Sequence, residues 1–200
     1  MWEELLIWGY STRKEIEITY GSDTACFAPS PDSKMVGYID SDYAGDIDDR
    51  KSTSGSIFMM SSGAICWSSK KQPIVTLSTT EAEFVAAVAC SCQAIWLRKM
   101  LEILNQKQSG TTVIYCDNML TIKLSKNSVL HGRSKHIDAR FHFLRDLCKE
   151  DIIELNFCRS DKQIADLFTT PLKQPLFEKL RRKMRMCRIQ DVYQENEVKS

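Results

Sequence analysis

No C-x-x-C pair occurs among the eight cysteines of this 200-residue sequence, which stand at positions 26, 66, 90, 92, 116, 148, 158 and 187. Neither a zinc ribbon nor a disulfide framework is indicated, and cysteines set mostly within apolar runs are expected to be reduced, small core residues. No apolar run approaches the roughly 18 to 20 residues of a membrane span. The opening MWEELLIWGYSTRKE carries acids where a signal peptide is basic. The expectation is an intracellular protein, cytoplasmic or nuclear. Internal repeats and low-complexity stretches are lacking, and so is an excess of one charge, since 27 basic and 26 acidic residues leave a formal net charge of +1. That balance permits a polyanionic partner without demanding one. What is present, 43% hydrophobic and 26% charged residues, suits one main globular domain with appendages.

Negative charge is nonetheless concentrated locally. GYIDSDYAGDIDDR, residues 37 to 50, joins an apolar run to Asp40, Asp42, Asp46, Asp48 and Asp49. Like charges this close repel unless something positive lies among them. Basic residues gather elsewhere, at Lys70, Lys71, Lys123, Lys126, Arg133, Lys135 and in the tail FEKLRRKMRMCR.

Hydrophobic periodicity predicts the elements. MVGYID (35–40) reads as a buried strand, and GSIFMM and AICWS, separated by SSG, as an antiparallel hairpin. The long segment STTEAEFVAAVACSCQAIWLRKMLEIL reads as a helix opened by a Ser78–Glu81 capping box. TTVIYCDN is a second strand ending in an acid, Asp117, with a short helix in MLTIKLSKN behind it. A helix over HIDARFHFLRDLCKED, a strand IIELNF and a short helix in KQIADLFTT, stopped by Pro171, complete the order. A hairpin followed by alternating strands and helices argues an α/β domain with a mixed sheet.

Two apolar strands thus end in aspartate at their carboxyl ends, the edge where open α/β sheets bind ligands. If they are parallel neighbours, Asp40 and Asp117 converge. A glutamate from the first turns of the long helix, Glu81 or Glu83, can join them, and Asp166 can close the group. Oxygen-only ligands suit magnesium or manganese, and paired divalent ions about 4 Å apart can hold the attacking and leaving oxygens of a phosphodiester in line. On this reading metal is the positive partner of the acidic stretch.

GYIDSDYAGD, RKSTSGSIF, CWSSKKQPIVTLSTTEAEFVAA, IWLRKML, YCDN, KNSVLHGRSKHIDARFHFLRD and DKQIADLFTTPL, in that order, resemble the ribonuclease H region of the Pol polyprotein of copia-type long-terminal-repeat retrotransposons. The resemblance spans about residues 35 to 172. It implies an RNase H-like fold, a central mixed five-stranded sheet flanked by helices, and Mg²⁺- or Mn²⁺-dependent cleavage of RNA in RNA–DNA hybrids through two ions. It also implies Asp40, Glu83, Asp117 and Asp166 as the ligands and catalytic acids. Asp40 directly follows the apolar run, with Asp42 in reserve. Glu83 precedes FVAA and heads the stripe Ala87, Cys90, Ala94, Leu97, whereas Glu81 is employed by the capping box.

Thr170 stands where the family usually has lysine, and Cys92-Gln93 where it has Lys-Glu, departures that bear on substrate contacts more than on chemistry. Tyr38-Ile39-Asp40-Ser41 lacks the adjacent aspartates of a polymerase Y-x-D-D. Residues 1–34 are accordingly read as the segment joining polymerase to ribonuclease H, and 173–200 as a basic amphipathic tail. In that tail Leu176, Phe177, Leu180 and Met184 form one side, and Lys179, Arg182 and Lys183 a flank able to meet phosphates. Reverse transcriptase or integrase parts of Pol are the expected protein partners. The rival expectation is a catalytically silent nucleic-acid-binding or assembly remnant. His131, His136 and His142 all lie outside CRSDKQ, where some cellular ribonucleases H place a histidine, and a structural polar contact is the expectation for His136. Trp67, Lys70 and Lys71 at the hairpin end are candidates for gripping a nucleic-acid backbone.

Overall fold

The computed structural model describes residues 33–60, 63–126 and 139–185 with their side chains, and the backbone alone of 7–10, 16–20, 23–27 and 135–138. His131, Arg133 and Cys187, and the side chains of Cys26, Lys135 and His136, therefore lie outside the described residues. In chain order the elements are β1 (Ile7–Tyr10), β2 (Ile16–Tyr20), β3 (Asp23–Phe27), β4 (Met35–Ser41), β5 (Thr53–Met60), β6 (Gly63–Lys71) and α1 (Thr79–Ile103). There follow β7 (Thr112–Cys116), α2 (Met119–Lys126), α3 (Lys135–Lys149), β8 (Ile153–Phe157), 3-10 turns at Ser160–Lys162 and Ile164–Phe168, and α4 (Gln174–Lys183). The segment KQIADLFTT, expected as a short helix, is thus largely 3-10.

β1, β2 and β3 form an antiparallel sheet of their own, which the sequence reading did not anticipate. The main sheet has the order β6-β5-β4-β7-β8. β5 runs antiparallel to β4 and β6, while β4, β7 and β8 are parallel to one another. This mixed five-stranded sheet carries the ends of β4 and β7 side by side, because Val36 and Tyr38 pair in register with Val113 and Tyr115.

α1 crosses one face of the sheet. Ala87, Cys90, Ala94 and Leu97, the small-residue stripe, are all buried against it beside Ile39, Phe58 and Ile114. α3 adds Phe141 and Leu144 to the same core, with the Phe141 and Phe84 rings stacked at 4.0 Å between centroids. Small residues bring the helix backbone close, and the two rings fill the space left behind. By length and composition alone α1 could cross a bilayer, contrary to the expectation that no apolar segment comes near that size. Half of its most apolar window is buried on the sheet, and it also buries Glu81 and Glu83, so a core helix accounts for its hydropathy.

The other face of β5 and β6 is covered by the turn Ile164–Phe168 and by α4. Ile57, Ala64, Ile164, Ala165 and Met184 make a second core, with Tyr38, Trp67 and Phe168 packed at its margin. Leu180 is fully buried, and the Ala64 amide donates to the Met184 carbonyl at 3.1 Å. Of the four apolar residues of the tail, Leu180 and Met184 thus serve packing and Phe177 is exposed. Among the cysteines, Cys66, Cys90, Cys116 and Cys158 are buried free thiols, Cys148 is half-buried and Cys92 is exposed.

Candidate metal centre

Each acid of the site is delivered by a different element. Asp40 is the sixth residue of β4, and its backbone lies opposite Gly55 of β5. Asp117 follows β7 immediately, while its neighbour Asn118 turns the other way to cap α2, its Oδ1 accepting from the Leu120 and Thr121 amides at 3.0 and 3.1 Å. YCDN therefore divides its labour, Asp117 toward the sheet edge and Asn118 into a helix start.

The two glutamates of α1 separate in the same manner. Ser78 Oγ accepts from the Glu81 amide at 3.2 Å, and Glu81 Oε2 accepts from the Leu77 amide at 2.8 Å. That is a capping box whose carboxylate reaches one residue further back than usual. Glu83, two residues on, faces the sheet, where its Oε1 accepts from the Ser41 amide at 2.8 Å. Replacing Glu81 by Ala is expected to cost on the order of 1 kcal/mol of stability through the lost cap. Divalent-ion binding should survive that change; denaturant melts beside ion titrations check this, and loss of ion binding with stability intact would move the site to Glu81.

Asp40, Glu83 and Asp117 come together so that one carboxylate oxygen of each lies within 4.8 Å of the other two. Asp40 and Glu83 are buried and Asp117 is half-buried. Gln72 ties the frame together, the two hydrogens of its Nε2 shared among Ser41 Oγ, Ser54 Oγ and the Ala82 carbonyl at 3.1, 2.8 and 2.9 Å. One side chain thus ties the ends of β4 and β5 to the start of α1. Asp117 Oδ2 accepts from Ser160 Oγ at 3.0 Å. Asp166 stands beside the three rather than within that group, near enough for the Asp40 and Asp117 charges to act on it. Its Oδ1 is buried and finds no hydrogen-bond partner among the described residues.

Burial sets the protonation of these acids, and mutual repulsion adds to it. Glu83 is pushed up to about 9, by burial first and then by the Asp40 and Asp117 charges. Asp166 is pushed up to about 7 by the same causes in the same order. Burial also raises Asp40, opposed by a hydrogen bond from the Thr169 hydroxyl to its Oδ2. Without a cation, burial and repulsion favour the protonated forms of Glu83 and Asp166. The Cys116 thiol, 3.7 Å from Glu83 Oε2, is likewise driven far up by burial and by that carboxylate, so it stays a neutral neighbour.

The remaining aspartates of GYIDSDYAGDIDDR are answered otherwise. Asp42, the reserve candidate, does not reach the cluster: its Oδ1 accepts from the Thr53 amide, closing the β4–β5 connection. Asp46 Oδ1 takes the Asp48 and Asp49 amides at 2.9 and 3.1 Å, and its carboxylate pairs with Lys71, which holds it down at about 2. Asp49 meets Lys51 at 3.4 Å and Lys71 at 3.6 Å. For this loop the positive partner is lysine from the end of β6, and the metal reading of the whole stretch contracts to Asp40. Lys71 is accordingly an ion-pair residue here. His142 is exposed on α3.

Comparison with known proteins accords with this geometry. Over 156 residues the chain is 43% identical to the retrovirus-related Pol polyprotein from transposon TNT 1-94 of Nicotiana tabacum, a match that takes in 78% of this chain. It is 37% identical over 155 residues to that of transposon RE2 of Arabidopsis thaliana. This chain is homologous to a region of copia-type retrotransposon Pol polyproteins. The matched stretch makes up 12% and 11% of the length of those two Pol polyproteins. No family model matches the sequence. Among solved structures, a ribonuclease H1 isolated from compost by a metagenomic approach aligns with a TM-score of 0.50 at 15% identity, covering 73% of this chain and 96% of that one. The fold of this Pol-related chain is RNase H-like.

Reasoning from the sequence alone missed Ser160, Thr169 and Gln72. No local signal marks them, since Thr169 lies 129 positions from Asp40 and Ser160 43 positions from Asp117.

Proposed function

We propose that this chain is a ribonuclease H that hydrolyses the RNA strand of RNA–DNA hybrids in reverse transcription, using divalent ions held by Asp40, Glu83, Asp117 and Asp166. The observation that carries the reading is the convergence of Asp40, Glu83 and Asp117 from three separate elements to within 4.8 Å. Such a group is electrostatically unfavourable unless cations or protons neutralise it. The donor set fits the ion, because every ligand atom is a carboxylate oxygen, the preference of Mg²⁺ and Mn²⁺. The unpartnered Asp166 Oδ1 adds a fourth oxygen beside the cluster, as a second ion requires.

When bound, such ions supply Lewis acidity to a phosphodiester and a water-derived nucleophile at neutral pH, with the 3′-oxygen leaving. The protein's own groups prepare for that. The Ser41 amide holds one oxygen of Glu83 and leaves the carboxyl aimed at Asp40, and Ser160 steadies Asp117. Homology to Pol polyproteins supports a place beside reverse transcriptase and integrase, the partners proposed here.

The test is incubation of the purified chain with a labelled RNA–DNA hybrid and with a DNA duplex, with and without Mg²⁺. The expected result is cutting of the hybrid's RNA strand alone, and only with the ion. Hybrid binding without cutting would favour the silent nucleic-acid-binding remnant instead.

A further inference from the structure

One row of the sheet, Ser69 on β6, Gly55 on β5 and Asp40 on β4, lies in register across three strands. The segment carrying Asp166 crosses the sheet along this row and touches it at each position. Ser69 Oγ donates to the Phe168 carbonyl at 2.6 Å. Over Gly55, a Cβ would stand 2.8 Å from Thr169 Cγ2, 2.9 Å from the Ala165 carbonyl and 3.0 Å from Phe168 Cβ, so only a residue without a side chain lets the segment settle. At the third position the Thr169 hydroxyl donates to Asp40 Oδ2. The same short segment is closed on itself by the Thr169 and Thr170 amides, which donate to the Asp166 carbonyl at 3.4 and 3.2 Å.

The geometry points to Thr169 as a positioning residue for the Asp40 carboxylate, seated by Gly55 and Ser69, through which the site's affinity for divalent ions is set. Its hydroxyl occupies Oδ2, one of the two oxygens of Asp40. Its methyl packs in the hollow above Gly55. Because Thr169 sits three residues after Asp166, the contact also couples the position of that acid to the Asp40 rotamer. This inference rests on the reading of the acidic cluster as a divalent-ion site.

The experiment is calorimetric titration of the full chain with Mn²⁺, alongside melts in chelator, for the wild type, Thr169→Val, Thr169→Ser and Gly55→Ala. Thr169→Val keeps the shape and removes the donor. It should bind Mn²⁺ about tenfold or more weakly, as expected for losing a hydrogen bond to a ligating group, with a nearly unchanged metal-free melt. Thr169→Ser keeps the donor and should remain within about twofold of wild type, the conservative rescue. Gly55→Ala unseats the segment and should reproduce the weakening. Wild-type affinity in Thr169→Val, or equal losses in the Val and Ser variants, would overturn the positioning role while leaving the metal site standing. Should Thr169→Val fail to fold, wild-type affinity in Gly55→Ala overturns it instead. Absence of Mn²⁺ binding in the wild type overturns the ion site and this inference together, an outcome plainly distinct from the others.

Discussion

Asp117→Asn is expected to abolish Mg²⁺-dependent cutting of an RNA–DNA hybrid while melting, in chelator, at or above the wild-type temperature. The substitution keeps the side chain's shape and its acceptor for Ser160, but removes the charge of one of three carboxyl groups that converge within 4.8 Å. In the metal-free protein this relieves repulsion on Glu83 and Asp166, both of which feel the Asp117 charge. In the loaded protein it removes a ligand. Loss of even an outer partner of a metal ligand costs about 10- to 100-fold, so cutting should fall by more than about 100-fold. The combination is diagnostic, since a variant that lost activity by unfolding would melt earlier. Near wild-type cutting by Asp117→Asn would remove this residue from the site.

That prediction draws on features with very different visibility in the sequence. Asp40 and Asp117 were legible because each closes an apolar strand, and parallel neighbours must bring such residues together. Glu83 could be told from Glu81 because a cap has a fixed spacing from its serine, and Ser78 to Glu81 has it. Asp42 stays only in reserve, because alternation along a strand places it on the face of Asp40 only while the strand continues. β4 ends at Ser41, and the Asp42 carboxylate turns to the Thr53 amide. Asp46 and Asp49 misled for a longer-range reason. Their partner Lys71 arrives through antiparallel pairing of β6 with β5, where Lys71 lies opposite Thr53, and no local pattern announces it. The hydropathy of α1 was underestimated because its apolar residues are broken by Glu81, Glu83, Gln93 and Arg98. In the small sheet only β2, IEITY, alternates apolar with polar residues, while β1 and β3 carry no such pattern. What the sequence shows poorly is contact between remote polar groups, since hydrophobic periodicity locates elements but leaves hydrogen bonds to the assembled sheet.

Glu83→Gln should change how stability depends on pH in chelator, and the sign follows from where the proton sits. Glu83 is raised from 4.5 to about 9 on folding. Between those values the folded protein holds a proton that the unfolded chain has released, so stability falls as pH rises through the interval. One proton corresponds to a slope of at most about 1.4 kcal/mol per pH unit, and the neighbouring acids spread it over the range. The stabilising proton is fully present below about pH 4.5 and lost toward pH 9. Glutamine cannot ionise, yet its amide can offer Asp40 a hydrogen as the protonated carboxyl does, and its oxygen can still accept from the Ser41 amide. The variant should therefore match the wild type near pH 5 and exceed it in chelator at pH 8, with a flatter profile between. Mg²⁺ should raise the wild-type melt at pH 8, because an ion replaces the proton as the neutralising charge, and should leave the variant nearly unmoved. Denaturant melts from pH 5 to 9 for both proteins, with chelator and with Mg²⁺, measure all of this. A wild-type profile that rises toward pH 8 in chelator would mean that Glu83 is ionised in the free protein, and the electrostatic basis of the proposed ion site would fall with it.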